Sequence, residues 1–73
     1  MNTTAEKHLA YWKSKAQVRV NQLSHGWWVA IHDPEGDECN AAYFDSIWDA
    51  TAAIPRMLGE AEEEEMQEWW RHQ

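Results

Sequence analysis

The spacing of apolar residues predicts a helix at the start of the chain, over residues 4–15. The apolar positions recur at helical intervals and form one stripe, made of Ala5, Leu9, Trp12 and Ala16. Thr3 and Glu6 match a capping box, in which each side chain satisfies a free backbone donor at the helix start. We therefore expect Leu9 and Trp12 to face the core.

From Gln17 onwards the apolar period changes to two, which is typical of half-buried strands. Val18 and Val20 alternate with polar residues, and further strands are predicted over residues 27–32 and 38–44. The segment Asp33-Pro34-Glu35-Gly36 places Asp, Pro and Gly at positions that a type I turn favours. The three strands therefore predict an antiparallel meander.

A second helix is predicted after Ser46, a good N-cap, with a buried stripe of Ile47, Thr51, Ile54 and Leu58. Pro55 cannot donate to the carbonyl of Thr51, so we expect a kink there, or a break with a new short turn that Gly59 ends. A last helix over residues 60–72 carries the glutamates. The predicted class is α+β: a helix, a three-stranded antiparallel meander, a helix, and a kinked or separate acidic C-terminal helix.

The order of the first five elements resembles that of the double-stranded-RNA-binding fold. That resemblance implies a lysine cluster at the start of the second helix, where the family binds phosphates. Here that stretch reads Ser46-Ile47-Trp48-Asp49-Ala50-Thr51 and contains no basic residue. We therefore expect no direct binding of nucleic acid.

The strand pattern predicts a sheet with two apolar faces. If the helices cover Val18, Val20, Trp27, Val29, Ile31, Ala42 and Phe44, the other face carries Trp28, Ala30, Cys39, Ala41 and Tyr43. Such a patch commonly marks an interaction site. Three alternatives remain open: the last helix folds back and lays Met66 and Trp69 over this patch, the patch forms a homodimer interface, or it binds a different protein.

Composition and charge restrict the class of protein further. The 73 residues weigh 8.6 kDa and are interpreted as one domain, residues 1–73, of which residues 60–73 form an acidic, Trp-containing helix. No signal sequence or membrane span is recognisable, and Cys39 is the single cysteine, so a cytoplasmic location is predicted. The net charge is −7, and twelve of the thirteen acidic residues follow His32.

No constellation in the sequence is typical of catalysis or of cofactor binding. Cys39 and His32 flank the turn and can be imagined as a thiol–imidazole pair, but no third orienting group is evident. The four histidines lack metal-ligand spacing. The acidic residues around Asp33 lack the glycine and glutamate of a calcium loop. We therefore predict a protein that is not an enzyme and has no metal or cofactor.

The acidic run near the C-terminus is the candidate binding feature, because stacked glutamates repel one another and a cationic partner would relieve the repulsion. Neighbouring indoles would add apolar contact. The predicted partner is the basic protein surface of a complex that binds nucleic acid. The candidate partner-binding residues are Glu62, Glu63, Glu64, Glu65, Glu68, Trp28, Tyr43, Trp69 and Trp70.

In size, charge and architecture the chain resembles the small inhibitors encoded by phages and mobile elements, including anti-CRISPR proteins. The resemblance implies an inhibitor that docks on a bacterial nucleic-acid-handling complex and blocks its basic channel. The alternative hypothesis is a homodimeric structural or adaptor module, in which the acidic tail only confers solubility.

Overall fold

The computed structural model describes residues 4–72, which form two helices and three strands. In chain order they are α1 (Thr4–Lys15), β1 (Gln17–Leu23), β2 (Gly26–His32), β3 (Glu38–Phe44) and α2 (Ile47–Arg71). The predicted α+β class and the order of the first five elements are confirmed. Thr3, half of the predicted capping box, lies outside the described residues.

The three strands form an antiparallel meander in the order β1-β2-β3, as the alternating pattern predicts. Gly36 closes the β2–β3 turn: its N–H donates to the Asp33 carbonyl at 2.9 Å, and its φ of +91° is one that glycine adopts without strain. The strand register places Trp27, Val29 and Ile31 on one face of β2, where they meet Phe44, Ala42 and Asn40 of β3.

One face of α2 covers β2 and β3 on this side of the sheet and closes a small core. Its buried residues are Ala50, Ala53, Met57 and Ala61, which pack with Val29, Ile31 and Trp12. The predicted stripe is wrong, since Ile47 and Thr51 are exposed and Ile54 and Leu58 are only partly buried. The Asn40 side chain donates to the Met57 carbonyl at 3.0 Å and ties the third strand to the helix. Small alanines in the helix stripe allow the helix to approach the sheet closely.

The helix layer does not extend over β1, and this corrects the prediction for two residues. All seven residues of β1 are exposed. Val18 and Val20 point to the helix side, as predicted, but are 38% and 40% exposed because α2 lies over β2 and β3. They are therefore not core residues.

Cys39 is also on the other side of the sheet from the one predicted. The pairing shifts between Ile31 and His32, so that His32 pairs with Glu38 and Cys39 is the additional residue. Such a bulge interrupts the strict alternation of sides. As a result Cys39 packs against the core beneath α2, and its thiol donates to the Ile31 carbonyl at 3.3 Å.

The second helix is continuous for 25 residues, and the predicted break at Pro55 does not occur. The predicted N-cap is confirmed, since the Ser46 hydroxyl accepts from the Asp49 N–H at 3.1 Å. Gly59 lies inside the helix and does not end it. Within residues 4–72, no helix combines the length and apolar character needed to cross a lipid bilayer.

The first helix packs against the C-terminal half of α2. Trp12 is buried, as predicted, and Leu9 is half-buried. Contacts from His8 to Glu65 and from Lys13 to Glu62 show that α1 and α2 run antiparallel. Because α1 lies beside the far end of α2, the molecule is elongated, with principal extents of 45 × 21 × 18 Å.

The hypothesis that the last helix folds over the second apolar face is wrong. Trp69 stacks on His8 of α1, with ring centroids 5.7 Å apart and an interplanar angle of 25°. Residues 60–71 are the continuation of α2 on the core side of the sheet. The face that carries Trp28 and Tyr43 is thus without a covering helix among residues 4–72.

Candidate functional site

The acidic residues of two elements converge at one end of the molecule, which we call the acidic end. The β2–β3 loop contributes Asp33 and Glu35, and α2 contributes Glu64, Glu65 and Glu68. Two adjoining clefts of about 160 and 180 Å³ separate the loop from the helices. Trp12, Asp33 and Glu65 line both clefts, and the exposed Tyr11 lines the first, so aromatic and anionic surface lie together there.

The loop presents its carboxylates in a fixed arrangement. Asp33 Oδ1 accepts from the backbone N–H groups of Glu35 and Asp37, at 3.0 and 2.9 Å. Side-chain oxygens of these three residues lie within 4.8 Å of one another. The backbone hydrogen bonds to Asp33 already account for this grouping, which is the usual way an aspartate shapes a turn.

The five predicted glutamates of α2 surround the helix instead of forming one face, because four consecutive residues complete more than one turn. Glu65 lies 2.9 Å from His8 Nε2, Glu62 lies 3.9 Å from Lys13 Nζ, and Glu68 pairs with both Arg71 and His72. Glu63 and Glu64 form no ion pair with any residue between 4 and 72. These two carboxylates are the ones open to a partner.

Two of these partners come from α1, which the sequence reasoning did not anticipate. It treated the repulsion within the glutamate run as one that a cationic partner would relieve. The basic residues of α1 were a possible signal for these ion pairs. Tertiary packing decides which faces of the two helices meet, however, and the sequence pattern does not show it.

The thiol of Cys39 borders the acidic end and responds to its charge. Burial raises the pKa of the Cys39 thiol, and the carboxylates of Asp33, Glu64 and Glu65 raise it further because a thiolate would be repelled. His32 is engaged elsewhere, with Nδ1 2.9 Å from the Gly36 carbonyl oxygen. A neutral, half-buried thiol without its imidazole partner is a poor nucleophile.

The predicted aromatic residues fall into two separate groups. Trp28 and Tyr43 are cross-strand neighbours on the open face of the sheet, and the Tyr43 hydroxyl donates to the His25 carbonyl. Trp69 and Trp70 lie at the far end of α2, beside the glutamates. The nine candidate residues therefore do not form one continuous surface.

Among the predicted anchors, exposure distinguishes Trp70 from Trp69. Trp70 is 61% exposed, and its ring meets the edge of Trp69 at a centroid distance of 5.0 Å. Trp69 is half-buried by its stacking on His8. Tyr43 is 45% exposed. Trp70 and Tyr43 are the more accessible of the four aromatic candidates.

Sequence reasoning missed the most exposed tryptophan. Trp48, in the first turn of α2, is 81% exposed. Its spacing from the buried stripe of Ala50, Ala53 and Met57 places it on the opposite side of the helix. The predicted stripe lay about a quarter turn from Trp48 and therefore concealed this exposure. The outer side of α2 is thus a further surface with unexplained exposure, besides the acidic end and the open face of the sheet.

Comparisons with known proteins found no relative: no family model, no curated protein and no solved structure matches the chain. The functional argument therefore depends on the charge, exposure and contacts described above.

Proposed function

We propose that this chain is a non-enzymatic protein-binding module whose acidic end docks on a cationic protein surface. The finer form of the proposal is an inhibitor of a bacterial nucleic-acid-handling complex, similar in mode to the small acidic inhibitors of phages. One observation carries it: the β2–β3 loop and α2 bring unpaired carboxylates together around an aromatic-lined cleft.

The physical reason is electrostatic. A basic groove evolved for nucleic acid attracts a dense array of negative charges, and a rigid protein that presents carboxylates competes for the same lysines and arginines. Glu63 and Glu64 have no ion pair within residues 4–72 to lose on binding. Trp70 adds exposed aromatic surface further along the same helix, and such residues commonly contribute most of the affinity at an interface.

The test is capture of partners from a bacterial lysate at low and moderate salt, followed by competition with DNA or RNA. We expect a basic, nucleic-acid-binding protein that is released by added nucleic acid and bound roughly tenfold or more tightly at the lower salt concentration, as expected for steering between opposite charges.

A matched pair of charge reversals locates the surface. Glu64→Lys removes an unpaired carboxylate at the acidic end, whereas Asp45→Lys makes the same change of net charge at the exposed residue just before α2. Glu64→Lys should weaken capture and Asp45→Lys should affect it much less. Equal losses from both variants would show that only net charge matters, and binding that ignores salt and both substitutions would refute docking through the acidic end.

The alternative hypothesis is an adaptor whose acidic tail only confers solubility. Point variants such as these test it, whereas a deletion of residues 60–73 does not. Ala61 is a core residue and Trp69 stacks on His8, so the deletion would disrupt the fold itself.

A further inference from the structure

The outer face of α2, directed away from the sheet, carries six residues that are apolar or glycine, and five of the six are exposed within residues 4–72. Glu62 and Glu63 lie at its edges between Gly59 and Met66. The six residues are Trp48, Ala52, Pro55, Gly59, Met66 and Trp70, at intervals that keep them on one side of the helix. Trp48 and Trp70 are 81% and 61% exposed, and the three residues between positions 50 and 60 are exposed as well. An exposed apolar helix face of this length is typical of an association surface.

Four residues of this face are arranged symmetrically about Gly59, whereas the position symmetric to Pro55 is Glu63. Trp48 precedes Gly59 by eleven residues and Trp70 follows it by eleven, and Ala52 and Met66 are both seven residues away. A sequence with this property is self-complementary when two copies of the helix lie antiparallel and cross at the centre. In such a two-fold arrangement, each residue meets the same partner residue in both copies.

Nothing within the fold requires glycine at position 59. A side chain there would meet no atom within 4 Å, and Gly59 does not adopt a positive φ. Glycine inside a helix lowers stability by about 1 kcal/mol relative to alanine. A close approach of another helix would make use of the missing side chain.

Charges on the flank of this face fit the same antiparallel arrangement. Arg56 and Glu63 lie on the same side of α2 but two turns apart, about 10 Å, so they cannot pair within one chain. Arg56 Nε reaches only the exposed Glu60, at 3.9 Å, and Glu63 has no ion pair among residues 4–72. A crossing at Gly59 brings Arg56 next to Glu63 of the partner subunit, twice by symmetry.

We propose that the outer face of α2 binds a second copy of this chain, with the two α2 helices antiparallel and crossing at Gly59. Trp48 of each copy then covers Trp70 of the partner subunit, and the small residues at the centre allow the backbones to approach. Antiparallel helix dipoles attract, and each acidic C-terminal half lies beside the less acidic N-terminal half of the other copy. This goes beyond docking through the acidic end: Asp33, Glu35 and Glu64 remain outside the contact, whereas Glu63 and Trp70 are available to a cationic partner only in the monomer.

Sedimentation equilibrium or light scattering of the intact chain tests the proposal. We expect a species of twice the 8.6 kDa chain mass at concentrations of order 100 μM. Gly59→Leu should weaken the dimer by about tenfold or more because the added side chain blocks the crossing, while the monomer stays folded, since the position is open and leucine favours a helix. A wild-type chain that stays monomeric overturns the proposal.

A charge exchange tests the antiparallel register. Arg56→Glu and Glu63→Arg should each weaken the dimer by about tenfold, since each loses two pairs and creates repulsion, and the double variant should recover it. Recovery cannot arise within one chain because the two positions are two turns apart. Failure of the double variant to recover would refute this register.

The exposed edge strand offers the competing interface, so Val20→Lys on β1 serves as the matched control. It should leave the dimer intact if α2 forms the contact. If Val20→Lys dissociates the dimer and Gly59→Leu does not, β1 forms the contact and the assignment to α2 is overturned.

Discussion

At the scale of single residues, Cys39 shows how one irregularity in the strand changes chemistry. The extra residue in β3 turns its side chain under α2, where the thiol packs against the core and donates to the Ile31 carbonyl. There it borders the carboxylates of Asp33 and Glu65, and the thiolate is disfavoured both by burial and by their charge. The same residue on the open face of the sheet would be free of these constraints.

We predict that the pH dependence of Cys39 alkylation has its inflection above the ordinary thiol range. The thiolate is the reacting species, and a raised pKa means that less of it is present at a given pH. Asp33→Asn should lower the inflection without restoring the ordinary value, because burial is the larger cause. The measurement is the iodoacetamide rate against pH, followed by mass spectrometry.

The guanidinium-unfolded chain is the control for that experiment. Because the folded pKa is raised, the thiol contributes stability below the pKa of the unfolded chain and loses it as pH rises through the folded value. Identical inflections in the folded and unfolded chains would contradict the electrostatic account of this site.

At the scale of elements, the observed strands agree closely with those predicted from the sequence, whereas α2 differs from its prediction. The strands, the turn and the N-cap were predicted from local signals: the apolar period of two, the residues from Asp33 to Gly36, and Ser46. Hydrogen bonds between residues close in sequence form the turn and the N-cap. Pro55 was expected to allow a break, yet Ala53, Met57 and Ala61 pack on the sheet from both sides of it. Burial of that stripe outweighs the local cost of proline, and sequence periodicity alone does not reveal this balance.

We predict that Pro55→Ala raises the free energy of unfolding by about 1–3 kcal/mol. Alanine supplies the N–H that can donate to the Thr51 carbonyl and removes the clash of the proline ring with the preceding turn. Chemical denaturation measures the effect, at concentrations below any self-association. Ala52→Gly, at an exposed position of the same helix, should lower it by about 1 kcal/mol and calibrates how strongly helix propensity affects the fold.

The opposite outcome is that Pro55→Ala leaves the free energy of unfolding unchanged while Ala52→Gly lowers it as expected. That result would contradict the prediction and show that a local adjustment of the helix already satisfies the Thr51 carbonyl.

At the scale of the whole molecule, the charge distribution was predictable and the surface that it forms was not. The excess of acidic residues after His32 can be counted in the sequence. That Asp33 and Glu64 lie at one end follows only from the placement of the β2–β3 loop beside α2. The open position of Val18 and Val20 and the pairing of Glu62 with Lys13 also depend on packing between elements distant in sequence.

This charge concentration leads to opposite salt effects on folding and on the proposed complex. Like charges at the acidic end repel, so screening should stabilise the folded chain, whereas attraction to a basic partner should weaken. Raising NaCl from 0.01 to 0.1 M shortens the screening length from about 30 to about 10 Å. We predict a rise in Tm over this range for the Gly59→Leu variant, in which self-association does not contribute.

Adding Glu64→Lys to that variant should raise Tm at low salt and flatten its salt dependence, because one of the unpaired charges is removed. Adding Asp45→Lys instead should change the slope less, since Asp45 lies outside the converging loop and helix. Thermal denaturation followed by circular dichroism provides both curves. A Tm that falls with salt, or equal slopes in the two variants, would mean that the carboxylates at the acidic end do not repel one another enough to favour a cationic partner.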